Sequence, residues 1–285
     1  MQLLLSAASI GAIYGAIGIA YVVVHKMTGM VNFAIGDIAV SGAFGAVVAS
    51  AFLPPIGAIL VGGACAAIVS VLMYVLAIHP LRNQGLMVQT IVTLGVGIAL
   101  RSGLQLIFGT GPYQFPAITA GPSVEVHGGS IPLQSIWVIV ITVASYIGLT
   151  LFFSRTMTGK ALSACAINRY AAGIVGINLT IMAIIAFALA GAMAGVVLSA
   201  QVPSSFITIS AGFAFGLKGF IAAILGGFDR IGLTLVGGFL IALVETFAAA
   251  TISTANAGTI VFALLIVLLI LRPQGLTRKL VSERV

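Results

Sequence analysis

The chain has 285 residues, of which 61% are hydrophobic and only 6% are charged. A soluble domain ordinarily carries about 25% charged residues, so this composition nearly excludes a soluble enzyme. The net charge of +7 comes from single lysines and arginines scattered between apolar segments. That distribution is typical of topology signals in a membrane protein and argues against a nucleic-acid-binding stripe.

Apolar runs about as long as a bilayer core is thick recur from the first residues to about position 271. Within lipid, the backbone must form helices or a closed barrel. Barrel strands alternate apolar and polar residues, whereas stretches such as 136–153 and 260–271 do not. The sequence therefore predicts an all-α polytopic membrane protein with a single transmembrane domain over 1–285.

Charged, proline and glycine residues divide the apolar sequence into nine predicted transmembrane helices. In chain order they cover 3–24, 34–53, 56–78, 88–108, 133–153, 180–201, 213–228, 231–250 and 256–271. The seventh is short, glycine-rich and contains Lys218, so a re-entrant or broken helix fits it equally well. The first has no basic segment before it and no small-residue cleavage site, and it is expected to be a retained helix rather than a signal peptide.

The basic residues predict an orientation. Lysines and arginines fall on alternate connections, and the opposite connections, 54–55, 109–132, 202–212 and 251–255, contain none. The positive-inside rule then places the N-terminus outside and the C-terminus, with Arg272, Arg278, Lys279 and Arg284, in the cytoplasm.

An odd number of spans allows an inverted repeat. If 3–108 and 180–271 are copies, the helix 133–153 between them gives them opposite orientations. FAIGD (33–37) opens the second span and FAFGLK (213–218) opens the seventh. Because the chain is rich in Gly and Ala, this match is explained equally well by an internal repeat and by chance. The glycine pairs Gly11 and Gly15, Gly191 and Gly195, and Gly237 and Gly238 predict close helix packing.

No catalytic constellation is present. His25, His79 and His127 are far apart in sequence and are expected at the membrane interface, and no disulfide is expected between Cys65 and Cys165. A phosphate-binding GxxxxGK loop followed by Ser or Thr is also missing from the sequence. We therefore predict no enzymatic activity, metal or cofactor in this chain, and any ATP must bind another chain.

The segment GMVNFAIGD (29–37) introduces polar and flexible groups, Asn32, Gly36 and Asp37, where an apolar helix begins. Intramembrane polar groups usually face a bundle interior or an aqueous path. Alternatively, Asn32 or Asp37 caps free amides at a helix start, and both interpretations can hold together.

Two further charges lie within or near the last spans. Lys218 and Glu245 could form an internal ion pair or line a path, but snorkelling of Lys218 and a terminal position for Glu245 are favoured. Arg101 is expected to snorkel to the outer headgroups.

The connection 154–179 contains helix-forming alanines and three basic residues, Arg155, Lys160 and Arg169, with Gly173 and Gly176 as stops. A short amphipathic helix here could lie on the membrane surface or dock into a partner, and composition slightly favours the surface.

Two segments together resemble the branched-chain amino acid ABC permease family. The stretch 20–37 matches its first block at Tyr21, Gly29, Met30, Asn32, Phe33, Ala34, Gly36 and Asp37. The loop 159–178 is similar to its coupling segment at Gly159, Lys160, Ala161, Ala164, Arg169, Ala172, Gly176, Ile177 and Asn178. Segments 216–227 and 236–246 resemble its paired C-terminal blocks, including Lys218 and Glu245.

The chain departs from the family pattern in three places. Ile35 stands where His or Gln is frequent, and Ile167 and Asn168 stand where an acidic residue is common. Asp229 and Arg230 replace a common glycine and serine.

The resemblance implies one half of a permease pair in a bacterial-type inner membrane. A second homologous permease, two ATP-binding subunits carrying ATP and Mg, and an extracytoplasmic solute-binding protein would complete an importer. It favours 159–176 as a coupling helix and implies a translocation path at Asn32, Phe33, Gly36, Asp37, Lys218 and Glu245. Branched-chain or other small amino acids are the implied cargo. The alternative is a stand-alone ion-coupled secondary transporter or channel.

Overall fold

The computed structural model describes residues 1–119, 121–126, 129–228, 230–252 and 257–271. Its elements in chain order are α1 (Gln2–Thr28), α2 (Ile35–Ala49), α3 (Pro55–Met73), α4 (Leu86–Phe108), β1 (Val124–Val126), β2 (Gly129–Ile131), α5 (Leu133–Arg155), α6 (Met157–Ile167), α7 (Arg169–Ile174), α8 (Leu179–Gln201), α9 (Ala211–Leu225), α10 (Ile231–Thr251) and α11 (Ala257–Leu271). A π-helical turn, Tyr74–Ile78, and a 3-10 turn, His79–Leu81, continue α3. The two strands pair antiparallel.

Each of the nine predicted spans coincides with a helix, but the helices differ in length. By length and composition, six candidate spans are found in the described part of the chain: α1, α3 with its continuation to Leu81, α4, α5, α8 and α10. The prediction of nine spanning helices is therefore not confirmed.

The short apolar helices α2 and α9 have 15 residues each. At 1.5 Å per residue they are about 22 Å long, less than the roughly 30 Å of a bilayer core. The broken-helix alternative thus fits the seventh predicted span. The second span, predicted over 34–53, shares this property because α2 ends at Ala49.

Helices α1 and α8 form the centre of the bundle. Side chains from Ile13 to Val24 of α1 are buried almost without exception, as is the second half of α8. Helix α1 packs against α8, α9 and α10, and α8 packs against α2 and α3.

Glycines allow the two central helices to approach their neighbours. A Cβ on Gly11 of α1 would lie 2.6 Å from the Cα of Phe239 in α10. A Cβ on Gly191 of α8 would lie 2.5 Å from the carbonyl oxygen of Ala66 in α3. The predicted close packing at these glycines is confirmed, and small residues at helix contacts are typical of membrane bundles.

The loops at one end of the bundle are joined by backbone hydrogen bonds. Tyr113 and Ile207 exchange two N–H···O bonds of 2.9 Å, which link the connection 109–132 to the connection 202–210. Gln134 at the start of α5 donates to the carbonyl of Ala200 at 2.7 Å and accepts from the amide of Ile118 at 3.0 Å. Two of the four connections that lack lysine and arginine therefore lie on the same side of the protein.

Candidate functional site

The segment between α1 and α2 is built by local hydrogen bonds. Helix α1 ends at Gly29, whose φ of +77° is the left-handed conformation that favours glycine at a helix end. Asn32, only 1% exposed, accepts a bond of 3.1 Å from the amide of Ala34 through Oδ1. Asn32 thus satisfies the amide of Ala34, the residue before α2, but α2 itself has no side-chain cap, so the predicted cap by Asn32 or Asp37 is not confirmed.

Asp37 has a different partner. Its carboxylate accepts hydrogen bonds from Nε and Nη2 of Arg101 on α4, with N···O distances of 3.0 to 3.2 Å. The Asp37 side chain is 5% exposed and that of Arg101 is 27% exposed. The Cζ atom of Arg101 also lies 5.4 Å from the ring centroid of Phe213 in α9.

The expectation that Arg101 snorkels to the headgroups is wrong. A buried carboxylate lies within reach on the inner side of α4, and a bidentate charge-assisted contact is stronger there than in water. The guanidinium therefore points into the bundle, where its pairing with Asp37 offsets the cost of two intramembrane charges.

One face of α4 carries this contact. Thr93, Gly97 and Arg101 are spaced four residues apart, so they lie along a single helix face. Thr93 accepts a 2.9 Å bond from the amide of Phe33 through Oγ1. A Cβ on Gly97 would lie 2.8 Å from Oδ2 of Asp37, so the absence of a side chain there makes room for the carboxylate. Helix α4 is thus fitted to the segment 33–37.

Helices α2 and α9 begin at the same place and cross there. A Cβ on Gly36 would lie 2.7 Å from the Cα of Gly216 and closer still to the carbonyl oxygen of Gly212. A Cβ on Gly212 would lie 2.6 Å from Oδ1 of Asp37. The N-terminal turns of the two short helices therefore meet beside the Asp37–Arg101 pair. We call this region, Gly36, Asp37, Arg101, Gly212 and Gly216, the crossing.

Aromatic rings flank the crossing. Phe33 contacts Phe220 of α9 with ring centroids 5.1 Å apart, and Tyr21 of α1 lies 5.7 Å from Phe220. The hydroxyl of Tyr21 lies 3.5 Å from the position that a Cβ on Gly216 would occupy. Within the described residues, this hydroxyl and Nδ2 of Asn32 are buried donors without a hydrogen-bond partner.

A second ion pair joins three helices. Lys218 of α9 and Glu245 of α10 are in direct contact. The hydroxyl of Tyr14 in α1 donates to Oε2 of Glu245 at 2.8 Å and accepts from Nζ of Lys218 at 3.0 Å. The internal-pair interpretation is confirmed, and the favoured one was wrong, because Lys218 points into the bundle and Glu245 lies inside α10 rather than at its end.

The connection 154–179 forms two helices, α6 and α7, rather than the single one predicted. Asn168 separates them in an extended conformation and caps α7 by accepting from the amide of Ala171 at 3.0 Å. This is the position where the family pattern commonly has an acidic residue. Asn178 caps α8 in the same way, with bonds from Thr180 and Ile181.

The predicted coupling residues in and after α6 and α7 differ in their burial. Gly159 and Ala172 are buried, and Ala161 and Ile177 are half-buried. The exposed members are Lys160, Ala164, Arg169, Gly176 and Asn178. Large apolar side chains are also exposed here: Ile167, Tyr170, Ile174 and Val175. Burial raises the pKa of the Cys165 thiol on the inner face, and the nearby Arg169 partly opposes the shift.

A side-chain contact connects α7 to the end of α1. Nη1 of Arg169 donates to the carbonyl oxygen of Thr28 at 3.1 Å, at the last residue of α1. Gly176 has a φ of +89° and closes α7 in a Schellman turn, in which the amide of Ile177 donates to the carbonyl of Ala172 at 3.1 Å. At the other end of the Arg169 contact, Thr28 is followed directly by the segment 29–34, which leads into α2.

Among the described residues, no three His, Cys, Asp or Glu side chains could hold a metal ion together. The ring of His25 lies 4.7 Å from that of Phe228 between centroids and is tilted by 54°, and Nε2 of His79 lies 2.8 Å from Nη1 of Arg82. His127, Asp229 and the C-terminal Arg272, Arg278, Lys279 and Arg284 lie outside the described residues.

Comparisons with known proteins define the family. The model of the family described as branched-chain amino acid transport system / permease component matches residues 3–270. This chain therefore belongs to that family, and the resemblance seen in its sequence is confirmed.

Two curated relatives span the whole chain. It is 30% identical to the high-affinity branched-chain amino acid transport system permease protein BraD of Pseudomonas aeruginosa, covering 100% of this chain and 98% of the relative. It is 29% identical to the permease protein LivH of Escherichia coli K12, covering 100% and 97%.

A solved structure shares the fold. A chain of a metal-chelate-type ABC transporter in an inward-facing conformation superposes with a TM-score of 0.52 over 95% of this chain and 86% of that chain. The two sequences are 17% identical, so this likeness concerns the fold alone.

Proposed function

We propose that this chain is the permease subunit of an ATP-binding-cassette importer for branched-chain or other small amino acids. The observation that carries the proposal is the family match over residues 3–270, on a bundle whose helices are long and apolar enough for a membrane. The relatives named for high-affinity branched-chain amino acid transport supply the substrate class.

The partners follow from this role. A second homologous permease would form the other half of the path, and two ATP-binding subunits would hold ATP and Mg. An extracytoplasmic solute-binding protein would deliver the amino acid, and no nucleic acid is involved. The lack of a phosphate-binding loop in this sequence supports placing ATP on partner chains. The subunit would reside in a bacterial-type inner membrane.

We further propose the inverted repeat and the orientation predicted from sequence. Pairing α1 with α8, α2 with α9 and α3 with α10 gives the main helix contacts counterparts, since α1 packs on α10 and α9 as α8 packs on α3 and α2. Aligning FAIGD (33–37) with FAFGLK (213–218) pairs Gly36 with Gly216, and these two residues are in contact with each other in the structure. The N-terminus outside and the C-terminus in the cytoplasm fit the basic connections.

The translocation path would pass the crossing. Gly36 and Asp37 belong to the crossing, and Asn32 and Phe33 lie in the segment that leads into it, whereas Lys218 and Glu245 lie further along α9 and α10. Broken helices that meet inside the membrane are how many transporters build a substrate site.

Coupling would run through α6 and α7. The exposed apolar side chains Ile167, Tyr170, Ile174 and Val175 offer a surface to an ATP-binding subunit. A push on α7 would reach Thr28 through Arg169 and then the segment that positions Asn32 and Asp37. The resulting rocking of the bundle needs no bond chemistry in this chain.

The ion-coupled secondary transporter is the weaker candidate. Both carboxylates described inside the apolar helices, Asp37 and Glu245, are neutralised by Arg101 and Lys218 in direct contact. Neither is therefore free to bind a coupling proton or Na⁺ without first breaking an ion pair.

Purification of the tagged chain from its native membrane in a mild detergent tests the proposal. We expect mass spectrometry to identify a second permease and two ATP-binding subunits in stoichiometric amounts. A chain that purifies alone would contradict the proposal.

A further inference from the structure

The Asp37–Arg101 contact leaves part of the Arg101 side chain uncovered by the bundle. That side chain is 27% exposed, although Nε and Nη2 both donate to Asp37. Arg101 lies seven residues before the end of α4, within an apolar helix. Charged groups within membrane helices usually face the bundle interior or a water-filled cavity, so we expect the uncovered part of the guanidinium to face protein or water.

The surroundings of Arg101 provide both polar and apolar surface. Ser102 and Gln105 of α4 are exposed beside it, and so are Ile98 at 62% and Phe213 at 49%. Nη1 of Arg101 is not engaged by Asp37. A guanidinium with a free edge next to an aromatic ring and an aliphatic side chain suits an amino acid that carries a carboxylate and an apolar side chain.

The crossing adds two features of an anion site. The first turns of α2 and α9 meet there, and the N-terminal end of a helix favours negative charge. Independently, the Tyr21 hydroxyl lies 3.5 Å from the Cβ position of Gly216 and, in a residue only 1% exposed, has no hydrogen-bond partner in the described chain. Nδ2 of Asn32, in the segment before α2, is a second buried donor without a partner there. Buried donors are rarely left unsatisfied, so each of these groups calls for a partner outside the described chain.

We infer that the crossing is a binding site for the zwitterionic head group of the transported amino acid. The α-carboxylate binds Arg101 beside the N-termini of α2 and α9, and Asp37 accepts the ammonium group. Contacts of the amino acid with Arg101 and Asp37 thus replace part of the contact between these two side chains. Because the amino acid is a zwitterion, its binding adds no net charge to the membrane interior. The site selects zwitterions over amines, amides and urea. This inference rests on the proposed function and specifies its substrate chemistry.

A cysteine reporter at Ser102 tests the inference in the complete transporter reconstituted in vesicles. The labelling rate of a Ser102→Cys variant by a water-soluble maleimide is measured, and the rate of the parental chain with Cys65 and Cys165 is subtracted. We expect millimolar leucine to slow labelling at least threefold. An equal concentration of 3-methylbutylamine, which has the leucine side chain without the carboxylate, should leave the rate unchanged.

Matched variants connect the protection to the ion pair. Arg101→Gln together with Asp37→Asn removes both charges and leaves none uncompensated, and it should abolish protection by leucine. Arg82→Gln, at an exposed arginine that contacts His79, should retain it. If the double variant does not assemble, the comparison of leucine with the amine decides alone.

The inference is overturned if Ser102→Cys is not labelled in any state of the ATP cycle. It is equally overturned if leucine gives no protection, if the amine protects as well as leucine, or if protection survives neutralisation of the pair. ATP-dependent leucine uptake is measured in the same vesicles. Its absence would refute the proposed function itself, whereas uptake without selective protection would refute only this site.

Discussion

Gly36 of α2 and Gly216 of α9 lie against each other, and the space available for a Cβ atom is smaller on Gly36 than on Gly216. A Cβ on Gly36 would lie 2.7 Å from the Cα of Gly216, whereas a Cβ on Gly216 would lie 3.4 Å from the Cα of Gly36. The first distance is shorter than any real side chain accepts, and the second is an ordinary close contact. The contact fixes where the two short helices cross and therefore where Asp37 meets Arg101.

Alanine at these two glycines should have unequal effects. Gly36→Ala forces the helices apart and should destabilise the protein by about 1–3 kcal/mol, as overpacking does in other cores. Gly216→Ala should cost clearly less. Gly148→Ala on α5 is the control, because no described atom lies within 4 Å of its Cβ position, and it should be neutral or stabilise the helix by up to about 1 kcal/mol.

The measurement for this series is the midpoint of thermal unfolding in detergent, followed by size-exclusion chromatography with fluorescence detection. A Gly36→Ala midpoint equal to that of Gly216→Ala would contradict the packing at the crossing.

The Lys218–Glu245 pair predicts strong coupling between its partners. Glu245→Gln leaves the buried ammonium of Lys218 without a negatively charged partner and should cost about 3–5 kcal/mol. Lys218→Gln should cost a similar amount. The double variant removes both charges and should recover most of the stability, so the double-mutant cycle should show a coupling energy above about 1 kcal/mol. Additive effects in the same unfolding assay would show that the two side chains do not interact.

Arg169 should transmit motion rather than hold the fold. Arg169→Ala removes the bond to the carbonyl of Thr28 and should lower the number of amino acids imported per ATP hydrolysed several-fold, while ATP hydrolysis continues. Arg82→Ala, another exposed arginine, serves as the control and should keep the normal ratio. Uptake and phosphate release are measured on the same vesicles. A normal ratio in Arg169→Ala would remove this contact from the coupling route.

Gly176 should tolerate only residues that accept a left-handed backbone. With a φ of +89°, Gly176→Val is strained, by about 1–2 kcal/mol or more, and should distort the end of α7. Gly176→Asn should be close to wild type, because asparagine is the residue after glycine that most readily closes a helix in this way. Equal uptake rates in the two variants would show that the turn is not needed for coupling.

The sequence predicts the positions of the helices well because apolar runs report directly on burial in lipid. The start of α3 at Pro55 and the course of α5 and α8 follow from it. It does not predict that α2 ends at Ala49, because Ser50 to Leu53 continue the apolar composition. Where a backbone turn ends a helix within an apolar stretch, the hydropathy of the sequence does not change, so it does not predict the helix end.

The site is less predictable because its contacts are distant in sequence. Asp37 and Arg101 are 64 residues apart, and Lys218 and Glu245 are 27 apart. A signal was present, since the described apolar helices hold two acidic and two basic side chains in their interiors, which suggests pairing. The sequence alone does not say which acid meets which base, and it gives no hint that Tyr14 and Phe213 complete the two contacts.

The most direct test of the account is leucine uptake by vesicles that contain this chain, its second permease, two ATP-binding subunits and the solute-binding protein. The account predicts uptake that requires both ATP and the solute-binding protein, and no uptake by this chain alone under a proton or Na⁺ gradient. Uptake by the lone chain driven by such a gradient, without ATP, would contradict it and identify a secondary transporter.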